Sequence, residues 1–191
     1  MVKLTPTGRV ILGMLKLGAR TGYDIKRIVE VSTRFFWGAS YGQIYPELRR
    51  LAEAGLVESE EAPRGGIARR AYRLTPAGEA ALRKWLTNDE ELIFAYRDEV
   101  LLKLFFADLL RPEDRAAHVR RAGELFGGVV ERFREIGEDA EADIQRGQVY
   151  PYVALRYGIE LMEWAARWYE ELAGRLERGE PPVTPDEVQS S

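Results

Sequence analysis

The sequence contains no cysteine and one histidine, His118, among its 191 residues. Disulfide staples and thiol chemistry are therefore excluded, and a triad or metal site built on several histidines cannot form. A chain without cysteine is compatible with a reducing compartment, and the cytoplasm is the expected location. No run of about 18 uncharged apolar residues occurs, so no membrane-spanning helix is expected. Even LLKLFFADLL, residues 101–110, carries Lys103 and Asp108. The run VILGMLKLGA, residues 10–19, is short, is interrupted by Lys16 and leads into no cleavage-site pattern, so it reads as a core helix and not a signal peptide. Neither GxxxxGK[ST] nor GxGxxG follows a strand. Asp139, Glu141 and Asp143 imitate the alternate acids of a calcium loop, but Ile144 stands where that loop needs glycine. No catalytic residue, metal or cofactor is expected, and the chain does not read as an enzyme.

Hydrophobic residues make up 46% of the chain, with four Trp, nine Tyr and seven Phe. That suffices for one domain with a sizeable core or for two small ones. The net charge of −3 conceals an asymmetry. Residues 1–88 hold 15 basic and 8 acidic side chains, a balance of +7; the remainder holds 13 and 23, a balance of −10. A basic half joined to an acidic half suggests a polyanion-binding module attached to one with another task. The expected division is 1–88, 89–179 and a tail, 180–191, whose EPPVTPDEVQSS composition predicts disorder and no site.

Along the first half, Val10, Ile11, Met14, Leu15 and Leu17 form a helical stripe over residues 6–17. Thr21 caps the next helix, with Asp24 three residues on reaching back to its N–H. A third helix follows, with Ser40 as N-cap and Gly55 as C-terminal stop. LVESEEA and RRAYRLT read as two strands around a PRGGIA turn, with Tyr72 and Leu74 on one face and Arg69 and Arg73 on the other. Thr75-Pro76 opens a fourth helix.

Three helices and a hairpin are the winged form of a helix-turn-helix, whose third helix enters the major groove while the hairpin reaches the backbone or minor groove. In SYGQIYPELRRLAEAGLV, residues 40–57, Ile44, Leu48 and Leu51 face the core. Gln43 is suited to an adenine edge, Arg49 and Arg50 to phosphate or guanine, and Tyr45 to thymine methyls or phosphate. Arg64, Arg69 and Arg70 cluster at a turn with two glycines. Tyr41 leans toward the core face, so packing and DNA contact are both open for it. Arg50 has Glu47 and Glu53 within pairing distance in sequence. Pro46 cannot donate to the Gly42 carbonyl, which leaves either a late helix start or a bend.

LTPTGRVILGML, TGYDIKR, GQIYPELRRLAEAGLV and the Arg/Gly wing closing on AYRLTPAG together resemble the PadR-like transcriptional regulators over roughly the first 85 residues. YRDEVLLKLFF resembles the start of the longer C-terminal domain of the larger subfamily. The resemblance implies a winged helix that binds operator DNA as a homodimer, with the C-terminal helices forming the dimer. It implies repression relieved by a small molecule, often an aromatic one, at a site no residue of which can be carried over. The family's recognition-helix motif falls on Ser40, Gly42, Gln43, Ile44, Tyr45, Pro46 and Leu48. Its second-helix tyrosine falls on Tyr23, and its wing on Gly65, Gly66, Arg69 and Arg70, closing at Tyr72.

In the second half, residues 97–110 are apolar on most sides and are expected to be buried. Val119, Ala122, Phe126, Val129, Phe133, Ile136 and Ala140 step by threes and fours, a heptad seam that Gly127 and Gly128 interrupt, either at a cost of about 1 kcal/mol each relative to alanine or to allow close helix approach. Leu155, Gly158, Met162, Ala165, Tyr169, Leu172 and Leu176 repeat the pattern, flanked by a second stripe of Ala154, Tyr157, Leu161, Trp164 and Trp168. One helix with two apolar stripes calls for a second copy of the chain, with an intramolecular hairpin as the alternative. The expected fold is mainly α: a winged helix-turn-helix with a small β-hairpin wing, then an α-helical, antiparallel, coiled-coil-like dimerisation domain. A homodimer would set two recognition helices about 34–36 Å apart, on successive major grooves of an imperfect palindrome. The competing function is a winged-helix module that binds protein and not DNA.

Overall fold

A computed structural model describes residues 4–33, 36–37, 41–62, 69–87, 98–138, 144–145 and 147–184. The chain divides into two units, residues 1–93 and 94–191.

In the first unit, α1 (Pro6–Lys16), α2 (Gly22–Val31) and α3 (Tyr41–Glu53) precede an antiparallel hairpin of β1 (Val57–Ala62) and β2 (Arg69–Leu74), and α4 (Pro76–Leu86) closes it. The hairpin register runs from Val57 opposite Leu74 to Ala62 opposite Arg69. A bridge between Thr21 and Ala71, with the Tyr72 amide donating to the Arg20 carbonyl at 2.7 Å, ties the wing to the α1–α2 connection. α2 starts with both bonds of the expected capping box between Thr21 and Asp24. Ile11, Leu12, Ile25, Ile44, Leu48 and Leu51 are fully buried at the centre, and Tyr72 and Leu82 close the edges.

α1 and α4 begin with the same pattern, Leu-Thr-Pro-x-Gly, at residues 4–8 and 74–78. In both, proline opens the helix and the N-cap threonine accepts the glycine amide, Gly8 to Thr5 at 2.9 Å and Gly78 to Thr75 at 3.0 Å. Each threonine then spends its own proton on α3 or its end. Thr5 donates to Glu47 Oε1, and Thr75 donates to the Gly55 carbonyl at 2.7 Å. Gly78 is required at its position, because a Cβ there would overlap the Leu56 carbonyl oxygen.

In the second unit, α5 (Glu99–Phe105) is followed by a 3-10 turn (Ala107–Leu109), α6 (Pro112–Glu138) and α7 (Val149–Glu177). Ion pairs Arg120–Glu177 and Arg134–Glu163 and the packing of Gly158 on Phe133 show that α6 and α7 are antiparallel. Val119, Ala122, Val130 and Phe133 of α6 are buried with Ala165, Tyr169, Leu172 and Ala173 of α7. The Phe126 and Tyr169 rings stack at 5.4 Å.

Three expectations are corrected. The inward α6 residues follow Val119, Ala122, Phe126, Val130, Phe133, of which Phe126 is only partly buried, so Val130 replaces Val129; the helix keeps close to 11 residues per three turns instead of a strict heptad. Of the two roles open to Gly127 and Gly128, close helix approach is overturned, since a Cβ added to either would meet nothing within 4 Å; the close approaches are at Gly123 and Gly158. Residues 98–110 are not buried: Leu102, Phe105, Phe106 and Leu109 are largely exposed. Of this seven-residue helix, the i, i+4 pair Val100 and Leu104 packs on the α6–α7 cluster. Arg115 of α6 secures the end of this segment, donating to the Ala107, Asp108 and Leu110 carbonyls at 2.9, 2.9 and 3.0 Å.

Candidate nucleic-acid interface

α3 is two-sided. Ile44, Leu48 and Leu51 are at most 1% exposed, while Gly42, Gln43, Tyr45, Pro46 and Arg49 are exposed on the opposite side. The helix begins at Tyr41, so Pro46 lies inside it and not at its start. The Gly42 carbonyl therefore receives no amide from the preferred helical position.

The first turn of α1 lies against α3 and holds it. Thr5 donates to Glu47 Oε1 at 2.5 Å, and Arg50 donates to both Glu47 oxygens at 2.6 and 2.9 Å. Glu47 is only 8% exposed. The Arg50 hydrogen bond, helped by Thr5, holds its carboxyl below the usual range despite burial, and the same bond raises Arg50. Thr7 is buried and its hydroxyl donates to Gln43 Oε1 at 3.2 Å. Gly8 passes directly over this group; a Cβ there would stand 2.6 Å from Glu47 Oε1.

The structure brings several of the sequence-predicted residues together on one surface. Tyr45 and Tyr23 are each about half exposed. The Tyr45 ring lies against Gly22, where a Cβ would come within 2.6 Å of Cε1, so it packs at the start of α2 beside Tyr23. Arg49 is exposed and has no hydrogen bond or ion pair among the described residues. Arg50 differs: its guanidinium is engaged by Glu47 and is partly covered. On the wing, Arg70 is exposed opposite Glu61, and Arg69 is the first residue of β2. Arg73 is occupied by Glu58 and Glu60 of β1, at 2.6 and 3.3 Å. Ser40, Arg64, Gly65 and Gly66, and the side chains of Tyr41 and Arg69, lie outside the described residues, as do Asp139, Glu141 and Asp143.

The sequence offered Glu47 as a partner of Arg50, which the structure has, but not Thr5 and Thr7 as supports of this helix. For the two threonines the local signal was the Thr-Pro-x-Gly helix start, which announces a cap but not what the threonine does next.

The class this architecture defines is the winged helix-turn-helix protein with an appended antiparallel helix pair. Residues 11–84 match the Transcriptional regulator PadR-like family, and residues 96–177 match the Virulence activator alpha C-term family. Over residues 11–84 the chain is similar to the PadR-like family of transcriptional regulators. It is 32% identical over 105 residues to the Negative transcriptional regulator PadR of Bacillus subtilis (strain 168), covering 54% of this chain and 58% of that relative. The chain thus spans about three fifths of that relative's length. The structure of Bacillus subtilis PadR in complex with operator DNA superposes with a TM-score of 0.77 at 24% identity, over 87% of this chain and 95% of the other. The same protein in complex with p-coumaric acid gives 0.60 at 23%, over 91% and 99%. The Vibrio cholerae virulence activator AphA gives 0.65 at 26%, over 91% and 99%.

Proposed function

We propose that this chain is a DNA-binding transcriptional regulator, a cytoplasmic repressor that grips an imperfect palindrome as a homodimer and is released by a small aromatic effector. The observation that carries the reading is the two-sidedness of α3: its apolar residues are spent on the core, and its polar, aromatic and cationic residues are left outward, in the half of the chain whose balance is +7. Tyr23, Gln43, Tyr45, Pro46 and Arg49 form the reading surface, with Ser40, Tyr41 and Gly42 at its tip. Arg64, Gly65, Gly66, Arg69 and Arg70 form the wing that grips the backbone. Arg50 serves this surface chiefly by locking Glu47, with one guanidinium edge left for phosphate.

The Bacillus PadR complexes with operator DNA and with p-coumaric acid support both the duplex and the aromatic effector, and that protein's designation as a negative regulator supports repression. Dimerisation is supported by the uncovered stripe of Tyr157, Leu161, Trp164 and Trp168 on α7. Among the described residues no helix is long and apolar enough to cross a membrane.

The test is a gel shift on fragments of the source genome at several salt concentrations. The wild-type chain should retard a subset of fragments. Replacing Arg69 and Arg70 by Ala should weaken binding to all of them and flatten the salt dependence by about 0.9 log units for each phosphate no longer neutralised. A chain that retards no fragment even at low salt would instead be a protein-interaction module.

A further inference from the structure

Gln43 is the outward residue best suited to a base edge, and it is not free to turn. Its carbonyl oxygen accepts the Thr7 hydroxyl at 3.2 Å, from a residue 36 positions earlier that is itself 8% exposed. Thr7 is the second residue of α1. The carbonyls that a helical threonine ordinarily bonds, three and four residues back, here precede the helix. Its proton is therefore available to a neighbouring element, and Gln43 is the acceptor it finds. A buried hydroxyl needs such a partner.

The consequence is chemical. An unrestrained glutamine offers a base edge both its oxygen and its NH2, the pattern that matches adenine N6 and N7. With the oxygen drawn back toward α1, the NH2 is the group left to point away from the domain. We propose that Thr7 is a specificity-determining positioning residue: it orients Gln43 to read the acceptor edge of a base pair, guanine O6/N7 or thymine O4, in preference to cytosine N4. This rests on the proposal that α3 reads DNA through Gln43, and it adds a residue of α1 that touches no base.

The experiment uses the full-length chain and a pool of duplexes with randomised sequence, from which bound molecules are recovered and sequenced. The wild-type profile should contain one position per half-site that favours guanine or thymine over cytosine and whose preference disappears in Gln43→Ala. Thr7→Val keeps shape and removes the donor. It should lower that preference by about threefold to tenfold, the worth of one hydrogen bond, while leaving the other positions unchanged. Thr7→Ser should restore it, and Thr7→Val should add nothing in the Gln43→Ala background. Gln43→Glu keeps an acceptor for Thr7 but has no outward donor, so it should turn the position toward cytosine. This variant tests the orientation even if Thr7→Val folds poorly. A Thr7→Val profile identical to wild type, with Gln43→Ala altered, overturns the role of Thr7 and spares Gln43 as a reader. A profile unmoved by Gln43→Ala overturns the reading beneath it.

Discussion

Thr5 and Glu47 stand 42 residues apart in sequence and share a hydrogen bond of 2.5 Å. It joins the N-cap of α1 to the buried side of α3, and Arg50 completes the group with two further bonds to the same carboxylate. Each partner has a second duty: Thr5 also accepts the Gly8 amide, and Glu47 also holds Arg50. Removing either partner therefore loosens more than one element.

Glu47→Gln should lower unfolding free energy at neutral pH by about 1.5–3 kcal/mol, the worth of a hydrogen-bonded charge in a largely covered place. The carboxyl is depressed in the folded state, so its contribution is fully present above its unfolded value near 4.5 and fades as pH falls through the folded one. Wild type and variant should converge in acid. Denaturant melts between pH 7 and pH 3 check this; a constant gap across the range would contradict it.

Two helical glycines should respond in opposite senses to alanine. Gly78→Ala drives a methyl into the Leu56 carbonyl and should cost about 1–3 kcal/mol or more. Gly13→Ala, in the middle of α1 with nothing within 4 Å of the added methyl, should stabilise by about 0.5–1 kcal/mol. Thermal unfolding of both proteins reads the contrast directly.

Arg49 and Arg50 are neighbours in sequence with different environments. Arg49→Ala should leave stability within about 0.5 kcal/mol, as for an exposed residue, and reduce affinity for duplex DNA in a salt-dependent way. Arg50→Ala should cost stability first, because it strands the Glu47 carboxylate. Melting curves paired with fluorescence-anisotropy titrations at two ionic strengths separate the two effects.

Trp164 and Trp168 lie on the exposed stripe of α7 and are 56% and 40% exposed in the single chain. Trp164→Glu with Trp168→Glu should convert a dimer to monomers in sedimentation equilibrium while the helical circular dichroism signal stays the same. A wild-type chain that sediments as a monomer would show that the stripe has no self-complementary partner.

Local chemistry was legible in the sequence; its long-range use was not. The capping box at Thr21 and Asp24, the Thr75-Pro76 helix start, the hairpin and the inward Ile44, Leu48 and Leu51 all follow from patterns within a few residues, and the structure has them. The bonds Thr5–Glu47 and Thr7–Gln43 depend on how α1 crosses α3, which no short window encodes. The burial expected of residues 97–110 failed over the described part, 98–110, for a related reason. Apolar composition states that a surface should be covered, but the cover has to come from another element, and one chain supplies it only at Val100 and Leu104. The Val129-to-Val130 exchange reflects a difference of about 0.2 residues per turn between two helical periods, too small to resolve by counting.

The doubled Leu-Thr-Pro-x-Gly start has a consequence for how such a chain diverges. Thr5 and Thr75 grasp α3 through its inward carboxylate and its trailing carbonyl, and neither bonds to Gly42, Pro46 or Arg49. The mount and the lettering it carries are thus separable except at Thr7, the variable residue of the first start, which meets Gln43. A handful of substitutions on the outward side can respell the target while the frame stays as it was.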